Sequence, residues 1–161
     1  MSATPWRVLW QRPDGSISVT CPGQPPLEGE PLEMYLDGVA LRAQNVDPEL
    51  AGAVRLPSVQ VSVLPGRRFR NCWRWSGNAL RVDLPLARQQ RLKEIRGERD
   101  RRLAATDGPW MRSVERNLLV ERQQLESQRQ ALRDLPAQAA ADLESCADEA
   151  AVAAYQPQWP E

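Results

Sequence analysis

The chain has 161 residues, an ordinary apolar fraction, and 21 basic against 21 acidic side chains. That is room for one domain, or for a small one with helical appendages, and zero net charge gives no overall attraction to nucleic acid or anionic membrane. Histidine is absent, which removes the commonest general base and transition-metal ligand and excludes Ser–His and Cys–His nucleophiles.

The first predicted element is a hairpin over Trp6 to Thr20. WRVLW places Trp6, Val8 and Trp10 on one face and Arg7 with Leu9 on the other. Pro13-Asp14-Gly15-Ser16 forms the turn, because Pro presets φ and Gly accepts a positive φ. ISVT returns, and Cys21-Pro22-Gly23 ends it. Next, Leu32, Tyr35, Leu36, Val39 and Ala43 recur at helical spacing, although Gly38 weakens the helix. Asp47-Pro48 reads as an N-cap and first helical residue for ELAGAV. SVQVSVLP alternates Val59, Val61 and Val63, a strand pattern.

RFRNCWRWSGNALRVDLP, Arg68 to Pro85, is the strongest hairpin signal. Phe69, Asn71, Trp73 and Trp75 share one parity; Arg68, Arg70, Cys72 and Arg74 share the other. Ser76-Gly77-Asn78 makes the turn, and Leu80, Val82 and Leu84 return on one face. A single-strand nucleic-acid binder stacks bases on exposed aromatics beside cations. Separation of aromatics and arginines onto opposite faces favours a core role for the aromatics, so nucleic acid is not an expected partner.

Asp83-Leu84-Pro85 opens a helix with a narrow stripe of Leu86, Leu92, Ile95 and Leu103. Asp107-Gly108-Pro109 reads as a stop and a restart. The second helix then covers about 109–134, with Met111, Leu118, Leu125 and Leu132 recurring every seven residues and Val114 and Leu135 at the second seam position. Such a seam implies a helical hairpin or a coiled-coil-like partner. Leu135-Pro136 breaks it, an Ala-rich helix-prone stretch follows, and YQPQWPE closes as an extended end, either folded back or offered to a partner. Residues 85–134 carry twelve Lys/Arg against eight Asp/Glu, and residues 135–161 carry five acids and no base. These blocks can pair within the chain or between copies.

The predicted architecture is therefore α+β: a small antiparallel β-hairpin domain over 1–84, an antiparallel helical hairpin over 85–135, and an Ala-rich helical segment with a Pro/Trp tail over 136–161. Cys21, Cys72 and Cys146 match no zinc or CxxC spacing and read as reduced structural thiols. No phosphate-binding loop or carboxylate pair stands out, so neither cofactor nor metal is expected, and the chain reads as a non-enzyme. No apolar run suffices to cross a bilayer, no membrane partner is expected, and MSATPWRVLW lacks a signal-peptide pattern, which points to synthesis in the cytoplasm.

Over residues 85–161 the chain resembles small tail-morphogenesis proteins of tailed bacteriophages, on ARQQRLKEIRGERDRRLAATDGPWMRSVERN, RQALRDLPAQ and the terminal WP. One related group is the tail fibre assembly chaperone-like proteins; another is a set of small tail proteins with a front hairpin feeding a helix like LARQQRLKEIR. The second type matches over about residues 65–161. The chaperones have Asp-Trp directly where this chain has Asp107-Gly108-Pro109-Trp110. The resemblance implies a protein without catalytic activity that binds a tail fibre or other tail protein during assembly in the host cytoplasm. A structural subunit retained in the virion tail tip or baseplate is the alternative, and a homo-oligomer is a further expectation. The residues expected to bind a partner are Met111, Val114, Leu118, Leu125 and Leu132 of the seam, with Tyr155, Trp159 and Pro160 of the end.

Overall fold

The structure, a computed structural model, describes residues 5–160. The signal-peptide reading falls partly on residues 1–4, outside the described residues. The fold is α+β, and the chain divides into two compact units at Asp83 and Leu84.

In the first unit, β1 (Trp6–Gln11) is the middle strand of a three-stranded antiparallel sheet, between β2 (Ile17–Thr20) and β3 (Val54–Gln60). The β1–β2 turn forms as expected: Gly15 has φ 79°, and Asp14 accepts hydrogen bonds from both the backbone N–H and the hydroxyl of Ser16. These bonds hold the Asp14 carboxyl below its ordinary pKa. Pro57 sits where the β1–β3 register shifts, between the pairs Arg7–Val59 and Leu9–Leu56. An irregularity of that kind is where a strand tolerates a residue without an N–H donor.

Both faces of β1 are covered. Val8 and Trp10 pack with Tyr35, Leu36, Val39 and Ala40 of α1 (Leu32–Val46) and with Leu50. Leu9 packs on the opposite face with Ile17, Leu56, Trp73 and Leu80. Trp73 and Leu80 belong to a second hairpin, β4 (Trp73–Ser76) with β5 (Ala79–Val82). Ser76 pairs with Ala79, so its loop is two residues, Gly77 at φ 57° and Asn78 at φ 62°. Two successive positive φ values make the type I′ turn, whose twist suits a hairpin.

Three expectations for this unit need correction. RFRNC is not strand: Arg67–Cys72 is 3₁₀-helical, with Phe69 and Cys72 buried. The helix expected from Pro48 through ELAGAV is only Pro48–Leu50, capped by Asp47, and Gly52 at φ 73° turns the chain into β3. The Val59–Val63 alternation stops at Gln60, where Val61–Val63 turns as a 3₁₀ helix. Trp73, by contrast, is only 2% exposed. The ring most suited to stacking a base belongs to the core, and burial also pushes the Cys72 thiol pKa up.

The second unit is helical: α2 (Leu84–Glu115), α3 (Leu119–Ser145), α4 (Glu149–Ala154) and an extended arm over 155–160. The helical hairpin forms, but it turns elsewhere than the Gly-Pro pair suggests. α2 runs straight through Gly108 and Pro109. Pro109 lacks the N–H that would bond the preceding turn, a cost of about 3 kcal/mol in a helix interior. Arg129 of α3 grips the same turn: it donates to Thr106 Oγ1 and Asp107 Oδ1, both at 2.6 Å, and lies 5.9 Å from the Trp110 ring centroid. The reversal occurs at Asn117, φ 53°. Leu118 N–H bonds Ser113 O and Asn117 N–H bonds Val114 O, the paired bonds of a Schellman cap with asparagine in the left-handed position. The expected break at Leu135-Pro136 is absent too. Both residues are buried and α3 continues to Ser145, ten residues past the expected end of the hairpin at 135.

Candidate partner-binding site

The buried apolar side chains of the second unit, among the described residues, are Ala87, Ile95, Leu132, Leu135, Pro136, Ala139, Leu143, Val152 and Pro157. None lies between residues 96 and 131. The hairpin therefore has a filled proximal half and a distal half in which no apolar side chain is fully buried and Met111, Val114, Leu118, Leu119 and Val120 are exposed.

The proximal half is closed by α4 and the arm, and arginines of α2 hold them. Arg88 bonds Glu144 at 2.8 Å and donates to the carbonyl of Cys146 at 2.8 Å. Arg91, itself buried, pairs with Glu94 at 2.9 Å and donates to the carbonyl of Tyr155 at 2.8 Å. Cys146 and Tyr155 are the C-cap residues that follow α3 and α4. Each arginine thus satisfies a carbonyl at a helix C-terminus, where a cation is favoured by the helix dipole. The predicted pairing of basic and acidic blocks is realised within the chain by Arg88 and Glu144, but main-chain carbonyls do as much of the holding.

Asp148 caps α4 by accepting from Ala151 N–H at 2.8 Å. The Tyr155 hydroxyl donates to Asp142 at 2.8 Å. Burial, and then the bond to this carboxylate, push the Tyr155 phenol up to about 12. Beyond Tyr155, Pro157 is buried and the Arg102 guanidinium lies 4.5 Å from the Trp159 ring centroid, within cation–π range. The arm thus follows α2 from Arg91 to Arg102. Pro160 lies beside a cavity of about 310 Å³ shared with Thr106, Pro109, Leu125 and Leu132.

The eight residues expected to bind a partner fall into three settings. Leu125, Leu132 and Pro160 line one cavity, and Trp159 reaches it through Arg102. Tyr155 sits at the other end of the arm. Met111, Val114 and Leu118 lie at the tip of the hairpin, Met111 57% exposed. The seven-residue recurrence is not one stripe, because the Asn117 turn divides it between two antiparallel helices; within it only Leu132 is fully buried. The expectation overlooked Leu119 and Val120, exposed beside Leu118 at the start of α3, and the arm-holding Arg91 and Arg102. Three consecutive apolar residues after an asparagine were a readable sign of the tip. Nothing local in the sequence distinguishes Arg91 and Arg102 from the other arginines of α2.

Among the described residues, no group of three or more His, Cys, Asp or Glu side chains is arranged to hold a metal ion. No helix there is long and apolar enough to cross a membrane. What the arrangement offers is contact: outward apolar side chains at one end of a hairpin, beside a groove that already holds an extended peptide.

Comparison with known proteins bears on this unit alone. No curated protein and no solved structure matched the chain. Residues 92–161 match the protein-family model described as phage tail assembly chaperone protein. The matched segment takes in most of α2, all of α3 and α4, and the arm, and nothing of the first unit. That similarity, over less than half of the chain, points to phage tail assembly as the setting of the helical unit.

Proposed function

We propose that the chain binds a tail fibre or another tail polypeptide while the tail is built in the host cytoplasm, and that the distal half of the helical hairpin is the gripping surface. The observation that carries this reading is the cluster of exposed apolar side chains at the tip: Met111, Val114, Leu118, Leu119 and Val120. Scattered exposed apolar residues are ordinary on any protein, but several together at one end of a hairpin mark an interaction site. The similarity of residues 92–161 to an assembly chaperone family supplies the setting. Leu125, Leu132 and Pro160 line a cavity next to this surface, and Tyr155 and Trp159 hold the arm through Asp142 and Arg102.

The test is co-purification from infected cells. Wild-type chain should bring down a tail polypeptide, and Met111→Ser/Leu119→Ser/Val120→Ser should lose at least ten-fold of it while keeping the helical circular dichroism of the wild type. Undiminished capture by the triple variant would remove the tip from the interface. Mass spectrometry of purified particles separates the two assembly roles. Absence from particles fits a chaperone, whereas a fixed ratio to a known tail protein fits a retained tail-tip or baseplate subunit.

A further inference from the structure

The arm occupies its groove in the way a bound peptide does. Residues 155–160 have no regular secondary structure. They are held by a main-chain carbonyl on Arg91, by the buried ring of Pro157, and by Trp159 against Arg102. A carbonyl contact is available to any polypeptide, and a proline-rich segment loses little entropy on docking extended. The groove also extends beyond Pro160. Beyond the 310 Å³ cavity at Pro160 lies a further open space of about 530 Å³, lined by Pro109, Glu121, Gln124, Leu125 and Gln128. Pro160 also borders a neighbouring space of about 510 Å³ that reaches Val120 at the tip.

We infer that this groove takes an extended segment of the partner polypeptide containing proline and an aromatic residue, and that Tyr155–Pro160 is an internal competitor which the segment displaces. The occupant's chemistry follows from the one already seated there, Pro157-Gln158-Trp159-Pro160. This inference rests on the binding role proposed above. A short tether keeps the arm at an effective concentration of roughly millimolar. A free peptide of similar chemistry therefore meets a filled groove. A partner that also covers the exposed tip gains contacts the arm never makes, and can displace it. The competitor thereby rejects segments that match the groove but not the tip.

The test uses the full chain and a fluorescein-labelled peptide of its own residues 153–160, followed by anisotropy. Pro157→Ser/Trp159→Ala, which releases the arm, should bind this peptide at least ten-fold more tightly than wild type does. Adding Arg102→Ala should remove most of that gain. Equal binding by wild type and the arm-released variant would overturn the inference, as would a gain that survives Arg102→Ala in full. Trp159→Ala alone loses only a half-buried ring; it should show a smaller gain in the same direction and carries the test if the double variant loses helical circular dichroism. No gain in the peptide assay alongside intact capture of tail polypeptide would overturn the competitor and leave the binding role standing. Failure of the wild-type chain to capture any tail polypeptide, with peptide competition intact, would do the reverse.

Discussion

The two halves of the helical hairpin share the same two helices but are built to different ends. In the proximal half, Ala87, Ile95, Leu132, Leu135, Ala139 and Leu143 are buried, and α4 with the arm closes the third side. In the distal half, the pairing is held by Arg129 on Thr106, Asp107 and Trp110, while Met111, Leu119 and Val120 face outward. Stability is concentrated where a third element covers the helices. Contact surface is left where none does.

The sharpest way to break that comparison is to exchange the character of the two halves. Leu132→Ala should cost about 3 kcal/mol, since it empties a fully buried site. Met111→Ser or Val120→Ser should each cost less than about 0.5 kcal/mol, as expected for substitutions at exposed positions. Urea unfolding reads both, and comparable losses at Leu132 and Val120 would show that the tip is part of the core. A smaller effect is expected at the turn joining the halves. Asn117→Ala places a Cβ-bearing residue without a local hydrogen-bonding side chain at φ 53°, which should cost about 1 kcal/mol. Asn117→Gly should leave the urea midpoint nearly unchanged; an equal loss for both would assign the cost to the asparagine side chain instead of its conformation. The smallest effect should be the pH response of the proximal half. Folding raises the Tyr155 phenol from its ordinary value near 10 to about 12. Its contribution is fully present below pH 10 and is lost as pH rises through 12. Thermal unfolding midpoints at pH 9 and 11.5 should therefore differ more for wild type than for Tyr155→Phe, and identical differences would detach Tyr155 from that response.

Much of the fold was legible where local chemistry and tertiary packing agree. The Pro-Asp-Gly-Ser turn, the Asp47-Pro48 cap and the Gly-Asn turn of the second hairpin are set by φ preferences and side-chain bonds within a few residues. Legibility failed where a distant residue overrides a local rule. Gly108-Pro109 reads as a break in any isolated segment, yet Arg129, twenty-two residues beyond Asp107, holds that turn helical. Asn117 carries the real stop, and a lone asparagine is a weaker sign than Gly-Pro although it fills the same left-handed position. The seven-residue recurrence misled for the same reason: periodicity cannot show that a turn divides the pattern between two helices. Of the candidate site, the apolar residues and the Tyr/Trp/Pro end were visible as residue types. Their arrangement was not, because it depends on which arginines of α2 face the arm.

β1 buries Val8 and Trp10 on one face and Leu9 on the other. Its ladder partner β3 and its second cover, the β4–β5 hairpin, both arrive from far downstream in the chain. Loops that long must close before any of these contacts forms, whereas α2 and α3 meet across a three-residue turn. During synthesis β1 thus emerges well before its last cover, and one of its faces stays exposed to mispairing until Leu80 has emerged.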